Sequence, residues 1–137
     1  MIENGGLRII VFEDDPALAN LLKHALHSRG HKVSVFSDPT LCPVFKEQET
    51  ACPSKTPCAD VILSDQMMPN MTGLEFFKLQ RARGCKAKDA NKAILTGSAM
   101  LPELQKEVHD LGYTLFKKPF KVSEVLAWID DCAARLA

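Results

Sequence analysis

The chain has 137 residues, about the length of one domain, and is 46% hydrophobic, enough for a sizeable core. Lys plus Arg and Asp plus Glu balance at 17 each, so the formal net charge is zero and offers no general argument for binding nucleic acid or a membrane surface. No apolar run is long enough to span a bilayer, and the N-terminus MIENGGLRII lacks the basic and then apolar regions of a secretory signal, so the cytoplasm is the expected compartment.

The first strand is expected at 7–13, LRIIVFE, a nearly unbroken apolar run. A helix follows over 16–29, where Leu18, Leu21, Leu22, Ala25 and Leu26 recur at helical spacing. Asp15 suits its N-cap, Pro16 its first position and Gly30 its end. The second strand, 32–37, alternates as KVSVFS and suits a sheet edge. Residues 38–59 are interrupted by Pro39, Pro43, Pro53 and Pro57, which predicts a short helix and then a long loop. The third strand is expected at 60–65, DVILSD. A helix over 72–83 opens with Thr72 and Glu75 at capping-box spacing and closes at Gly84. The stretch 81–92, RARGCKAKDANK, with five basic residues and one acid, is read as a solvated loop away from any site at the carboxyl ends of the strands. The fourth strand is expected at 92–97, KAILTG, and a helix over 101–111 between Pro102 and Gly112. The fifth strand is expected at 113–118, YTLFKK, and the last helix over 123–136, with Val125, Leu126, Ile129 and Ala133 as its apolar stripe.

Alternating strands and helices predict an α/β fold, a parallel sheet with helices on both faces. With no internal repeat and no Pro/Gly-rich linker, 1–137 is expected to be a single domain with its core over about 7–135. The five cysteines, Cys42, Cys52, Cys58, Cys85 and Cys132, are odd in number and form no C-x-x-C, which favours free thiols in a reducing compartment. Cys58 and Cys85 each precede a central strand and are expected to be neighbours, with structural thiols as the default. His24, His27, His31 and His109 show no ligand spacing and are read as surface residues.

Charge at the end of a buried strand is costly unless something neutralises it. Open parallel α/β sheets bind ligands outside the carboxyl ends of their strands. Those ends carry Glu13 and Asp14, Asp65, Thr96 and Lys118, on the first, third, fourth and fifth strands. Singly, each has a bland reading: solvated loop acids, a turn aspartate before Pro69, a strand threonine, a surface lysine. Jointly they describe a site. Two carboxylates about 4 Å apart repel by roughly 4 kcal/mol at an effective dielectric near 20. A hard divalent cation relieves that, and Mg²⁺ also binds phosphate oxygens. Lys118 supplies a point charge suited to phosphate and the Thr96 hydroxyl can donate to it. Asp65 can itself be a nucleophile that forms an aspartyl-phosphate.

Four motifs, VFEDDP, DQMMPNMTG, ILTGSA and KKPF, stand in order at the ends of predicted strands. With them the chain resembles, over about residues 7–135, the receiver domain of the two-component response-regulator family, of the chemotaxis-regulator kind. The resemblance implies a doubly wound, flavodoxin-like sheet of five parallel strands in the order 2-1-3-4-5. It implies that Asp65 accepts a phosphoryl group, that Glu13, Asp14, Asp65 and the backbone carbonyl of Met67 hold Mg²⁺, and that Thr96 and Lys118 engage the phosphoryl group. Asp14 is the expected direct ligand of the acidic pair, and Asp15, one place late, the helix cap. The family often has an aromatic residue three positions before the lysine. Here that position is Leu115, and strand alternation sends Phe116 to the opposite face. The insertion around 50–59, with Cys52 and Cys58, is a second departure.

The function so implied is a phosphorylation-controlled switch, an enzyme only toward its own phosphotransfer and dephosphorylation. A sensor histidine kinase or phosphotransfer protein would donate to Asp65, and a downstream protein would read the result, with no membrane or nucleic-acid partner for this domain. The chain ends at Ala137 with no effector, so it is expected to be either a single-domain regulator or a receiver cut from a longer chain. Two rivals are a metal-dependent phosphohydrolase with an aspartyl nucleophile and a degenerate receiver that only binds protein. The hydrolase wants a general acid two residues after the nucleophile, where Met67 stands.

Overall fold

The computed structural model describes residues 6–37, 59–68, 71–85, 87–97 and 100–136. The expectations for 38–58, including the short helix and Cys42, Cys52 and Cys58, lie outside these residues, as does Ser98. Five parallel strands form one sheet: β1 (Arg8–Phe12), β2 (Lys32–Phe36), β3 (Val61–Asp65), β4 (Lys92–Thr96) and β5 (Thr114–Lys117). Their order is β2-β1-β3-β4-β5, as the resemblance implied. Each strand is a residue or two shorter than expected, and flanking residues such as Glu13 and Lys118 still donate a single backbone bond to the neighbouring strand.

Strand alternation sorts the side chains into two layers. Ile9 and Val11, Val61 and Leu63, Ala93 and Leu95, and Phe116 point to one face. They pack there against Leu22 and Leu26 of α1 (Pro16–Ser28) and Val125, Trp128 and Ile129 of the last helix. Phe12, Ile62 and Ile94 point to the other face, against Phe76 and Phe77 of α2 (Gly73–Ala82) and Val108 of α3 (Pro102–Asp110). The last helix, α4, spans Val122–Leu136. The central strands β3 and β4 are buried throughout and β2 only in part, as fits an edge.

The helix starts follow the sequence. Asp15 Oδ1 accepts the Ala17 N–H at 3.0 Å with Pro16 just inside. Thr72 and Glu75 form a complete capping box. Such a cap contributes about 1 kcal/mol. With Asp15 spent on α1, Glu13 and Asp14 are left for the site. Phe116 packs edge-on to Trp128, its centroid 5.9 Å away, while the half-buried Leu115 faces the opposite layer. Among the described cysteines, Cys85 is half-buried and Cys132 buried, both as free thiols.

Two surface readings are corrected. His31 is buried, its Nδ1 accepting the Leu7 N–H at 3.0 Å, and burial lowers its pKa from the ordinary 6.5. Gly6 lies alongside at φ +62°, where a Cβ would stand 2.4 Å from the Gly30 carbonyl oxygen. Lys92, read with a solvated basic loop, is fully buried as the first residue of β4, its ammonium 5.5 Å from the Phe77 ring centre. Its position in the strand, rather than its charge, decides where it points.

Candidate functional site

Parallel strands deliver their carboxyl ends to one rim, and the crossovers leave it open there. Glu13 is the first residue past β1, and its N–H reaches Phe36 O at 3.0 Å, carrying the β1–β2 ladder one bond further. That bond turns the Glu13 side chain inward. Its Oε2 accepts the Asp15 N–H at 3.1 Å and its Oε1 lies 3.1 Å from Lys118 Nζ. Asp65 ends β3, with its Oδ1 2.9 Å from the same Nζ. Oxygens of Glu13, Asp14 and Asp65 lie within 4.8 Å of one another. Glu13 and Asp65 are buried, whereas Asp14 is exposed and makes no hydrogen bond among the described residues.

Lys118 is held from β5 by its N–H to Thr96 O at 2.6 Å, which also fixes the end of β4 beside it. Thr96 is buried at the strand end, its hydroxyl donating to Gly97 O at 3.1 Å rather than to Asp65. The loop after Asp65 is braced by Gln66, a residue the sequence reading passed over. Its N–H donates to Leu95 O at 2.8 Å, its carbonyl accepts from Gly73 N at 3.0 Å and its side-chain oxygen accepts from Leu74 N at 3.0 Å. Met67 and Thr72 close the loop with a β-bridge. A Cβ at Gly73 would meet Asp65 O at 2.5 Å, so the close approach of α2 requires glycine there. The only sequence signal for Gln66 is its place directly after the strand-end aspartate.

The electrostatics are unbalanced. Burial pushes Glu13 up to about 7; the Asp15 N–H opposes the rise, the neighbouring Asp65 adds to it and Lys118 opposes it. Burial pulls the Lys118 ammonium down, but its bonds to Asp65 and Glu13 outweigh that and hold its pKa above the ordinary lysine value. One ammonium faces three carboxylates. An all-oxygen donor set with an exposed, unbonded Asp14 at its mouth fits a hard divalent cation.

The sequence-predicted residues Glu13, Asp14, Asp65, Thr96 and Lys118 thus share one rim, with Met67 at its edge. Comparison with known proteins identifies the family. The family model described as the response regulator receiver domain matches residues 9–130. The chain belongs to the response regulator receiver domain family, whose members act as phosphorylation-dependent signalling switches in two-component systems. It is 35% identical over 75 residues to the transcriptional regulatory protein TrcR of Mycobacterium tuberculosis, covering 55% of this chain and 26% of that protein. It is 28% identical over 133 residues to hybrid signal transduction histidine kinase C of Dictyostelium discoideum, covering 91% of this chain and 10% of that protein. The chain therefore spans about a quarter or less of the length of these two relatives. Among solved structures, a Francisella response regulator receiver domain superposes with a TM-score of 0.76 at 22% identity, covering 96% of this chain and all of that one. The Vibrio cholerae chemotaxis protein CheY4 superposes with a TM-score of 0.71 at 26% identity, covering 93% and 98%.

Proposed function

We propose that Asp65 is the phosphoacceptor of this receiver domain, that Glu13, Asp14, Asp65 and the Met67 carbonyl hold Mg²⁺, and that Lys118 and Thr96 receive the transferred group. The observation that carries this reading is Lys118 Nζ within hydrogen-bond reach of both Asp65 and Glu13, with Asp14 free beside them. An Asp65 oxygen attacks the phosphorus of the donor, a P–O bond forms, and the bond to the donor's leaving nitrogen or oxygen breaks. Mg²⁺, when bound, spreads the negative charge of the phosphoryl oxygens and of the carboxylates. Lys118 balances one phosphoryl oxygen. The Thr96 hydroxyl, released from Gly97 O, donates to another.

The donor is a sensor histidine kinase or phosphotransfer protein in the cytoplasm. Beside Lys118, a cavity of about 240 Å³ lined by Leu18, Leu21 and Phe120 gives such a protein an apolar footing next to the acidic rim. Leu21 is half exposed there. The downstream partner is a protein, and chain 1–137 acts as one receiver unit. Among the described residues no helix is long and apolar enough to cross a membrane. A phosphohydrolase is not favoured, because the residue two after Asp65 is Met67, which has no proton to give. A degenerate receiver is not favoured, because the acids, Thr96 and Lys118 are all in place. Beryllofluoride with Mg²⁺ tests the assignment by NMR. The amides of Thr96, Gly97 and Lys118 should shift in the wild type and stay unmoved in Asp65→Asn; equal shifts in both would contradict it.

A further inference from the structure

The end of the molecule away from Asp65 holds a second surface, between α1 and the edge strand β2. Among the described residues no strand pairs with the outer side of β2. The Lys32 N–H donates to Leu7 O at 2.8 Å and Phe36 O accepts from Glu13 N at 3.0 Å, both toward β1. In a parallel ladder alternate residues aim their backbone groups to opposite sides. Residues 32, 34 and 36 therefore pair inward, and the N–H and C=O groups of Val33 and Val35 face outward.

Alongside, Asn20, Lys23, His24 and His27 recur at i, i+3, i+4 and i+7, one exposed stripe of α1. With Lys32 and Val33 they line a groove of about 590 Å³. Neither 16–28 nor 32–36 contains a single acid. The neighbouring Arg29 is held by Asp130 at 3.4 Å, whereas Lys23 and Lys32 have no ion pair among the described residues. The groove thus combines strand-edge groups and a cationic rim that have no partners among the described residues with a half-buried valine.

We propose that the open edge of β2 and this groove bind an extended acidic peptide segment of a partner protein, which adds to the sheet as a further strand. Its backbone pairs with Val33 and Val35, its carboxylates meet Lys23 and Lys32, and an alternating apolar side chain rests on Val33. The chemistry favours peptide over nucleic acid. A phosphate backbone would leave the strand-edge carbonyls unanswered, and two lysines on a chain of zero net charge make a weak polyanion site. Lys32 opens β2, at the opposite end of the sheet from Asp65, so docking here is independent of phosphorylation. It stands or falls apart from the assignment of Asp65.

The test is an NMR titration of the ¹⁵N-labelled chain with the acetylated, amidated peptide Glu-Val-Glu-Val-Glu-Val. Shifts should cluster on 20–36, with the Val33 and Val35 amides gaining protection from exchange. Combined Lys23→Glu and Lys32→Glu should weaken binding about tenfold, the effect of losing two exposed charge contacts, and Asp65→Asn should leave it unchanged. The Lys-Val counterpart, and the acidic peptide N-methylated at alternate residues, should bind more weakly. Shifts elsewhere, no shifts, equal binding of either control peptide, or equal binding of an oligothymidylate would overturn the proposal.

Discussion

Lys118 Nζ lies 2.9 Å from Asp65 Oδ1, an ion pair that ties the end of β5 to the end of β3 across β4. The same ammonium reaches Glu13 at 3.1 Å, so one cation holds the acidic rim together. A divalent ion held by the carboxylates would take over that role and would leave Lys118 for an incoming phosphoryl group.

This arrangement ranks the acidic pair. Glu13 is fully buried and already bound to the Asp15 N–H and Lys118, whereas Asp14 is exposed and unbonded among the described residues. Glu13→Gln should weaken Mg²⁺ binding about tenfold, as loss of an outer contact does, and Asp14→Asn should weaken it further. Isothermal titration with Mg²⁺ measures both. Equal losses would remove the ranking.

Met67 bears on how long the phosphoryl group lasts. Its side chain is 71% exposed and lines a groove with Thr96 and Gly97 beside the site. A thioether orients water poorly, and its bulk at this position would hinder an attacking water. Met67→Asn should shorten the lifetime of the phosphoryl-Asp65 bond, followed by loss of the mass adduct after donor removal. An unchanged or longer lifetime would contradict this.

His31 sets a pH dependence of stability. Its Nδ1 accepts the Leu7 N–H, so the buried ring must be neutral there, and burial lowers its folded pKa below the ordinary 6.5. Between those two values the unfolded chain binds more protons than the folded one. The stabilisation is thus present above about 6.5 and is lost as the pH falls toward the folded value. Glu13 acts oppositely without metal. Raised to about 7, it favours the folded state at low pH, and that contribution fades as the pH rises from 4.5 through 7. Urea unfolding of wild type and His31→Asn at pH 7.5 and 5.5 separates them, since Glu13 is common to both. The wild type should lose more stability on acidification than the variant. A parallel loss would show that His31 takes up its proton equally in the folded and the unfolded chain, and would contradict this.

The helix starts and the acidic rim were legible because each rests on local chemistry: Asp15 before Pro16, Thr72 three places before Glu75, apolar runs ending in acids; the sheet order came from the family resemblance alone. His31 and Lys92 were not. Both are polar residues at the amino ends of strands, where whether a side chain turns inward depends on what packs opposite. For His31 that is the Leu7 N–H, and for Lys92 the Phe77 ring. Periodicity within one segment carries no information on either. Gln66 escaped for the same reason, since its three bonds reach β4 and α2.

Leu115 bears on how the switch is read. It is half-buried against the α2–α3 layer, smaller than an aromatic ring and without a hydroxyl. Leu115→Ala should cost about 2 kcal/mol of stability through lost packing and leave most phosphorylation-dependent partner binding intact. Thr96→Ala should remove much more of that dependence, because its hydroxyl, now on Gly97 O, would be the group that changes partner to the phosphoryl oxygen. Partner affinity with and without phosphorylation, for both variants, measures this. The account is wrong if Leu115→Ala erases the difference while Thr96→Ala keeps it.

The central claim is that Asp65 takes a phosphoryl group with a divalent cation beside it. Intact-mass measurement after incubation with acetyl phosphate tests it directly. One adduct should form with Mg²⁺ present, none should form with the metal chelated, and none should form in Asp65→Asn. An adduct that persists in Asp65→Asn, or that forms equally without Mg²⁺, would contradict the account.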